Sequence, residues 1–534
     1  MSERNVAADS QAEFDRLQKK LVPLWKSIEH FNQDPQTVVV VPSMSIDAIS
    51  SGAVMQAYEE RFLFLLLLLR QPRARLIYVT SQTILPSIID YYLGLLPGVI
   101  PSHARQRLFL ISPLDLSVRP LSDKLLERPR LMERIRSLIL DPDRAHLVPF
   151  NTTNREQELA LRLGIPMYGA DPKFFPLGTK SGCREIFMEE NVPHPLGVEN
   201  LSSKEELIEA IAQMRSKKPS IKQVLVKLNE GVSGEGNAVI DLTGLPSAFA
   251  KATADKPVAA IASSAVASAK ADDSGREKAM LEERLRAMQF ELAGVTYDSY
   301  MKKLQERQGV VEERILGEEI RSPSVQLRIT PLGVVELLST HDQLLGGPTG
   351  QSYLGCAFPA DAGYAALITR EAAKVGKRLA KEGVIGRFAL DFVVVRSNEK
   401  WEPYAIEINL RKGGTTHPFL TLQFLTDGTY DAETGIFTAP NGQQKFFVAS
   451  DHVESPSYRT LTPDDVFDIV VRHDLHFDQT RQTGVVFHMM SALGELGRTG
   501  LTAVGNSHED AKDTYERTVT VLDQETGKPL EARK

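Results

Sequence analysis

The stretch RFALDFVVVRSNEKWEPYAIEIN, residues 387–409, decides how this chain is read. Phe388, Leu390, Phe392 and Val394 alternate with other residues, the period of a strand with one buried face. The polar run RSNEK (396–400) separates it from a second strand, so the pair predicts an antiparallel hairpin. Asp391 falls on the face opposite the apolar set, and Glu407 and Asn409, two apart, share a face. A turn centred near Glu399 sets Asp391 directly across from Glu407. Two opposed carboxylates repel by roughly 0.2–1 kcal/mol when exposed, and the cost climbs steeply with burial. A cation between them removes it. Asp391, Glu407 and the amide oxygen of Asn409 are hard oxygen donors with no Cys or His on the same strands. They suit Mg²⁺ held together with phosphates rather than zinc. The competing reading is a solvated strand face with scattered charges.

Three upstream segments carry groups suited to an anion or a ribose. Strand KQVLVKLN (222–229) delivers Lys227 to the run EGVSGEGNAVIDL (230–242). Glycine there lets backbone N–H groups close on an anion, and Lys227 adds a point charge; Gly231, Ser233, Gly234 and Gly236 are the loop candidates. The run is not a P-loop, and Val239 stands where a dinucleotide fingerprint needs its third glycine. Taken alone, the run reads first as a flexible hairpin turn. Lys180 opens the helix KSGCREIFMEENV (180–192) behind Thr179, an N-cap residue type. A helix N-terminus with a lysine is a ready anion site, although a solvated first-turn lysine has the same sequence. In VVEERILGEE (310–319), Glu312 lies on a strand and Glu319 beyond Gly317. A carboxylate just past a strand can accept from ribose hydroxyls; a solvated acidic turn is the plain alternative.

The rest of the chain supplies the frame. At about 150 residues per domain, 534 residues predict roughly three domains. With 42% hydrophobic and 25% charged residues, a wholly disordered, collagen-like or disulfide-stapled chain is excluded. A net charge of −7 offers no basic footprint for nucleic acid. Cys183 and Cys356 read as two reduced thiols. The run FLFLLLLL (62–69) would reach only about 12 Å as a helix against a membrane core of about 30 Å, so it reads as a buried core helix. The charged N-terminus lacks a signal-peptide core, and a cytoplasmic location is expected. TVVVV (37–41), RLIYVTS (75–81), RLFLIS (107–112), AHLVPF (145–150) and the short IPMYG (165–169) read as strands among helices, a doubly wound α/β unit ending near 178. Residues 246–278, rich in Ala, Ser, Lys and Asp, read as a poorly ordered insertion. Beyond about 440, helices at 462–473 and 507–522 and strands at 483–490 and 499–505 form a third unit. His341, Asp342 and His417 read as structural hydrogen-bonding groups. His473 and His476, three apart near a helix end, are not read as zinc ligands.

The order of these pieces resembles the ATP-grasp superfamily of ligases over roughly 175–425. More narrowly, LGIPMYGADPK, LGTKSGCREIF, VLVKLNEGVSGEGNA, SPSVQLRI, STHDQ, EINLRKGGTTHP and TGVVFHMM together resemble the pheganomycin-type peptide ligases. The resemblance implies a multidomain chain of α/β and α+β class. A pre-ATP-grasp domain would span 1–178 and an ATP-grasp domain 179–425 with its lid at 195–309. A small α/β domain would span 426–534. It assigns Lys180 and Lys227 to ATP phosphates, Glu312 and the backbone near Ile315 to adenine, and Glu319, or else Glu318, to ribose. Asp391, Glu407 and Asn409 become magnesium ligands. Ala389 stands where D-alanine ligases carry an arginine, and Arg387 is displaced by two, so Arg411 or Arg328 must hold the oxyanion. The implied activity is an ATP- and Mg²⁺-dependent carboxylate–amine ligase, with Mn²⁺ able to use the same oxygens. A carboxylic acid would be joined to an amine, amino acid or peptide acceptor through an acylphosphate. A second copy of the chain is a candidate partner; nucleic acid and membrane are not. A kinase on this fold and a nucleotide-binding module without chemistry are the alternatives.

Overall fold

The computed structural model describes residues 3–29, 35–46, 51–231, 236–245 and 276–527. The first unit is a parallel sheet of four strands: β1 (Gln36–Val41), β2 (Ala74–Val79), β3 (Leu108–Ile111) and β4 (Ala145–Pro149), in the order β3-β2-β1-β4. Their β-branched runs are buried on both faces, as crossover helices require. Thr153 caps the helix Asn154–Leu163 with Glu156 reciprocating, and Gly164 ends it in the left-handed conformation. The run 62–69 is buried as expected but is a 3₁₀-helix, Leu63–Arg70, following the α-helix Gly52–Glu60. The expected strand at 165–169 is a single bridge, Leu147 to Met167. The Gln18 side chain takes both backbone groups of Met167, at 2.9 and 2.8 Å, in place of a further strand.

The segment expected as a lid forms a five-stranded sheet that runs past 309: β5 (Gly197–Leu201), β6 (Gln223–Leu228), β7 (Asn237–Asp241), β8 (Gln289–Phe290) and β9 (Gly309–Glu313), in the order β5-β9-β6-β7-β8. The capped helix Lys204–Lys217 covers it. Residues 246–275 of the expected insertion lie outside the described residues, and 276–278 belong to a helix.

The central sheet has nine strands. β10 (Ile320–Arg321), β11 (Pro323–Ile329), β12 (Val335–Gly346), β13 (Ser352–Phe358), β14 (Gly386–Ser397) and β15 (Lys400–Asn409) form its first part. The helix Ala362–Glu382 packs its apolar stripe on them. A small hairpin of β16 (Thr429–Asp431) and β17 (Ile436–Thr438) follows. β18 (Phe446–Glu454), β19 (Gly484–His488) and β20 (Arg498–Gly505) then extend the central sheet in the order β13-β18-β20-β19. Apart from that hairpin, the described strands of the C-terminal segment form no separate sheet. Its apolar residues Phe447, Val485, Phe487 and Leu501 join one core with Leu63–Leu69 and Tyr78 of the first unit. No helix among the described residues is long and apolar enough to cross a membrane. Cys183 and Cys356 are both free and buried.

Candidate active site

The hairpin β14–β15 builds the floor of the site. Its turn is the two-residue pair Asn398–Glu399, both at positive φ (48° and 63°), the conformation of a tight hairpin turn. Ser397 pairs with Lys400 and Phe392 with Ala405, which alone would misalign the two acids. A register shift between Asp391 and Phe392 leaves Ile406 as an extra residue, and Asp391 then pairs with Glu407. The bulge thus offsets a turn centred half a residue before Glu399. On the other side of β14, Ser324 of β11 pairs with Asp391. Asn409 donates its side-chain N–H groups to Asp391 Oδ2 and to Glu407 Oε1, both at 3.0 Å. Of the expected three ligands, Asn409 as placed thus turns its nitrogen rather than its oxygen to the acids.

Lys180 reaches this floor from the first residue of the helix Lys180–Glu189. Thr179 Oγ1 caps that helix by accepting from Gly182 N at 3.1 Å. The Lys180 ammonium bonds Glu407 Oε2. The roof comes from the lid, where Lys227 on β6 is ion-paired with Glu312 on β9. Arg184, four residues on from Lys180 and so on the same helix face, meets Glu312 Oε2 at 3.3 Å and Glu199 Oε1 at 2.6 Å. A cleft of about 780 Å³ lies between floor and roof. Lys227, Glu312, Ile315, Asp391, Glu407, Asn409 and Arg411 all line it. Lys180 and Gly231 line an adjoining recess with Arg411. Gly236 packs against Leu228, and its carbonyl accepts from Leu228 N at 3.1 Å and Tyr300 Oη at 2.9 Å. Ser233 and Gly234 lie outside the described residues.

Two expected residues are elsewhere. Glu319 pairs with Arg321 at 3.1 Å and Arg396 at 3.2 Å, off the cleft wall, because β10 turns it toward the outer end of β14. Its substitute Glu318 is exposed. Arg328 sits at the far end of β11, 4.8 Å above the ring of Trp25 and paired with Glu336. It is spent on the first unit's packing, and of the two candidate arginines Arg411 alone faces the cleft. Sequence reasoning missed Arg184, Glu291 and Arg61. The i+4 spacing from Lys180 could have found Arg184. Glu291 carries no pattern, and Arg61 is set by the tertiary fold.

Residues 175–433 match the family described as IQCH-like ATP-grasp. The fold over this stretch is the ATP-grasp fold. Residues 465–518 match the PGM1 C-terminal domain. The chain is 29% identical to L-propargylglycine–L-glutamate ligase of Streptantibioticus cattleyicolor, over 87% of its own length and 88% of the relative's. It is 24% identical to the IQ motif-containing protein H of Danio rerio, over 96% of its own length but 50% of that protein. The biotin carboxylase–βγ-ATP complex from Campylobacter jejuni superposes with a TM-score of 0.52 at 12% identity, over 93% of this chain and 96% of that one.

The floor of the cleft is electrostatically unbalanced. Burial, then the facing Glu407, pushes the Asp391 carboxyl well above its ordinary range. Burial acts the same way on Glu407, but Lys180 overrides it and holds that carboxyl low. Burial would also lower the Lys180 ammonium, and Glu407 more than offsets it. One acid is thus neutralised by a lysine and the other resists ionisation. The oxygens of Asp391, Glu407 and Ser324 form an all-oxygen donor set that fits a hard divalent cation.

Proposed function

We propose that this protein is an ATP-dependent carboxylate–amine ligase that joins an amino acid or a related acid to the amine of an amino acid or peptide. The observation that carries the reading is the buried Asp391–Glu407 pair, facing across a bulge with Lys180 at its edge and Lys227 above. The relative named L-propargylglycine–L-glutamate ligase, matched over 87% of the chain, supports the amino-acid class of both substrates.

A carboxylate is a poor electrophile and must be activated. Its oxygen attacks the γ-phosphorus of ATP, giving an acylphosphate and ADP. The amine nitrogen then attacks the acyl carbon, phosphate leaves, and the ammonium proton is lost. For phosphoryl transfer the protein's work is positioning and charge neutralisation. Lys180 and Lys227 exchange their carboxylate partners for phosphate oxygens. Glu312, held from behind by Arg184, stays beside the base, with the Ile315 backbone forming the adenine edge. Arg411 meets the transferring group. Asp391 and Glu407, with Asn409 after an amide rotation, would hold Mg²⁺, which supplies charge neutralisation on the phosphates. The lid excludes the water that would hydrolyse an acylphosphate.

The test is a pooled screen of amino acids and peptides for ADP release, with mass spectrometry of the products. ADP release that requires both an acid and an amine, with an amide of matching mass, is the expected outcome. Phosphorylation of a hydroxyl with no need for an amine would replace the reading by a kinase.

A further inference from the structure

Away from the carboxylate floor, three buried donors converge on one point. His417 lies in the helix Thr416–Thr426, Asp451 on β18 and His488 at the end of β19. Each is about 4% exposed. His417 Nε2 is 3.0 Å from His488 Nε2, and Asp451 Oδ1 is 2.7 Å from His488 Nε2 and 3.4 Å from His417 Nε2. Hydrogen bonds alone do not satisfy this triangle. With a hydrogen on both Nε2 atoms, two N–H groups oppose each other at 3.0 Å. With a hydrogen on one, that single hydrogen is divided between a carboxylate and a second ring. Donors about 2.0–2.1 Å from a divalent cation, at tetrahedral or octahedral angles, stand about 2.9–3.4 Å apart, close to the three separations here.

We propose that His417, His488 and Asp451 bind a divalent transition-metal cation of the zinc class, separate from the magnesium-type floor. Two imidazoles and a carboxylate are the borderline donors such cations select, whereas Mg²⁺ prefers oxygen alone. The supporting groups fit. Asp451 offers its other oxygen, Oδ2, to Arg61 at 2.9 Å, the outer contact that orients a ligating carboxylate. Burial would raise the Asp451 carboxyl, but Arg61 foremost holds it below its ordinary range. Burial pushes the His417 imidazole down, which favours the neutral ring that ligates a metal. Gly500 leaves room for the second ring: a Cβ there would lie 2.0 Å from His488 Nε2. Met489, directly after His488, is held at φ 58° and ψ 36°, a costly conformation for a side-chain-bearing residue. The cation would tie the helix that follows Arg411 to β18 and β19, at the wall where Asp451 and Arg61 border the cleft.

The test uses the full chain, stripped with EDTA and titrated with Co²⁺ and then Zn²⁺, without nucleotide. One equivalent of Co²⁺ with d–d absorption, displaced by Zn²⁺, is expected. His488→Ala should weaken binding beyond the roughly 10–100-fold that losing an outer supporting partner costs, and Asp391→Asn should leave it unchanged. Far-UV circular dichroism checks that His488→Ala is folded; if it is not, His417→Gln takes its place. Absence of stoichiometric Co²⁺ uptake by the wild-type chain overturns the proposal. So does uptake that survives in a folded His488→Ala or disappears in Asp391→Asn.

Discussion

Glu407 is held by one lysine and faces one acid, and these two contacts set what its loss does. Glu407→Gln keeps the shape and the bond to Asn409 but removes a charge from the proposed metal floor. ADP formation should fall about a thousandfold, ~4 kcal/mol of barrier, while circular dichroism stays native. A fall of less than about tenfold in a steady-state assay would remove the magnesium assignment. Asp391 gives a pH signature. Its carboxyl is raised in the folded chain, so the native state binds this proton more tightly than the unfolded state. Its contribution to stability is therefore complete below the ordinary carboxylate range and is lost as pH rises toward about 7. Asp391→Asn abolishes that loss: in EDTA it should raise the melting temperature by a few degrees at pH 8 and change it little at pH 4. Scanning fluorimetry at both values checks this; equal shifts would mean that Asp391 titrates normally. Alternation of polar and apolar residues made this pair legible in the sequence. The bulge was not legible, because Ile406 is an ordinary strand residue until its partner strand is known. Arg328 was offered only because the resemblance left the oxyanion arginine unfilled, and the N-terminal segment stacks Trp25 on it instead.

At the scale of elements, the lid is fastened to the central sheet through a loop no motif announces. Glu291, beside β8, accepts from Thr349 N at 2.9 Å and Ser352 Oγ at 2.6 Å, and Asn237 Nδ2 donates to Gln351 Oε1 at 2.6 Å. These bonds join one end of the β7–β8 pair, where Asn237 lies beside Glu291, to the 347–352 turn. Glu291→Ala should free the lid edge, with faster hydrogen exchange at 289–291 and 347–352 and little change in β14. Lys227 belongs to the same element but faces the cleft. Lys227→Ala should weaken a non-hydrolysable ATP analogue by about tenfold or more, as expected for a lost charge-assisted contact, and leave acid-substrate affinity nearly unchanged. Calorimetry separates the two, and unchanged nucleotide affinity would make the Glu312 pair purely structural. The helix start at Lys180 was legible because its cap, Thr179, carries its own chemistry, whereas β5 and the helix Tyr297–Arg307 were not read. The latch was not, since it depends on which turn the lid rests against.

At the scale of the whole molecule, the sequence divides into three stretches but the cores do not follow them. The C-terminal strands complete the central sheet and also pack on the first unit. Tyr92 Oη donates to Phe487 O at 2.9 Å, and the Tyr91 ring stacks on Phe467 at 4.3 Å. Spacing and composition mark where a segment turns polar. They do not mark which sheet edge a distant strand will join, and so 426–534 reads as a separate unit. The apolar run at 62–69 is buried all round because strands of the first unit lie on one side and the helix Thr416–Thr426 with the C-terminal core on the other. It follows that β2, β13 and the C-terminal strands, which share this core, are coupled through it, and a defect in that run is felt far along the chain. Leu66→Ala, at a fully buried site, should cost about 2–5 kcal/mol. Hydrogen exchange should quicken in β20 as much as in β2, because both lose the same core, while β6 in the lid, which has its own core, keeps its protection. Faster exchange confined to β2 would show that the C-terminal strands stand by themselves, as their position in the sequence suggests.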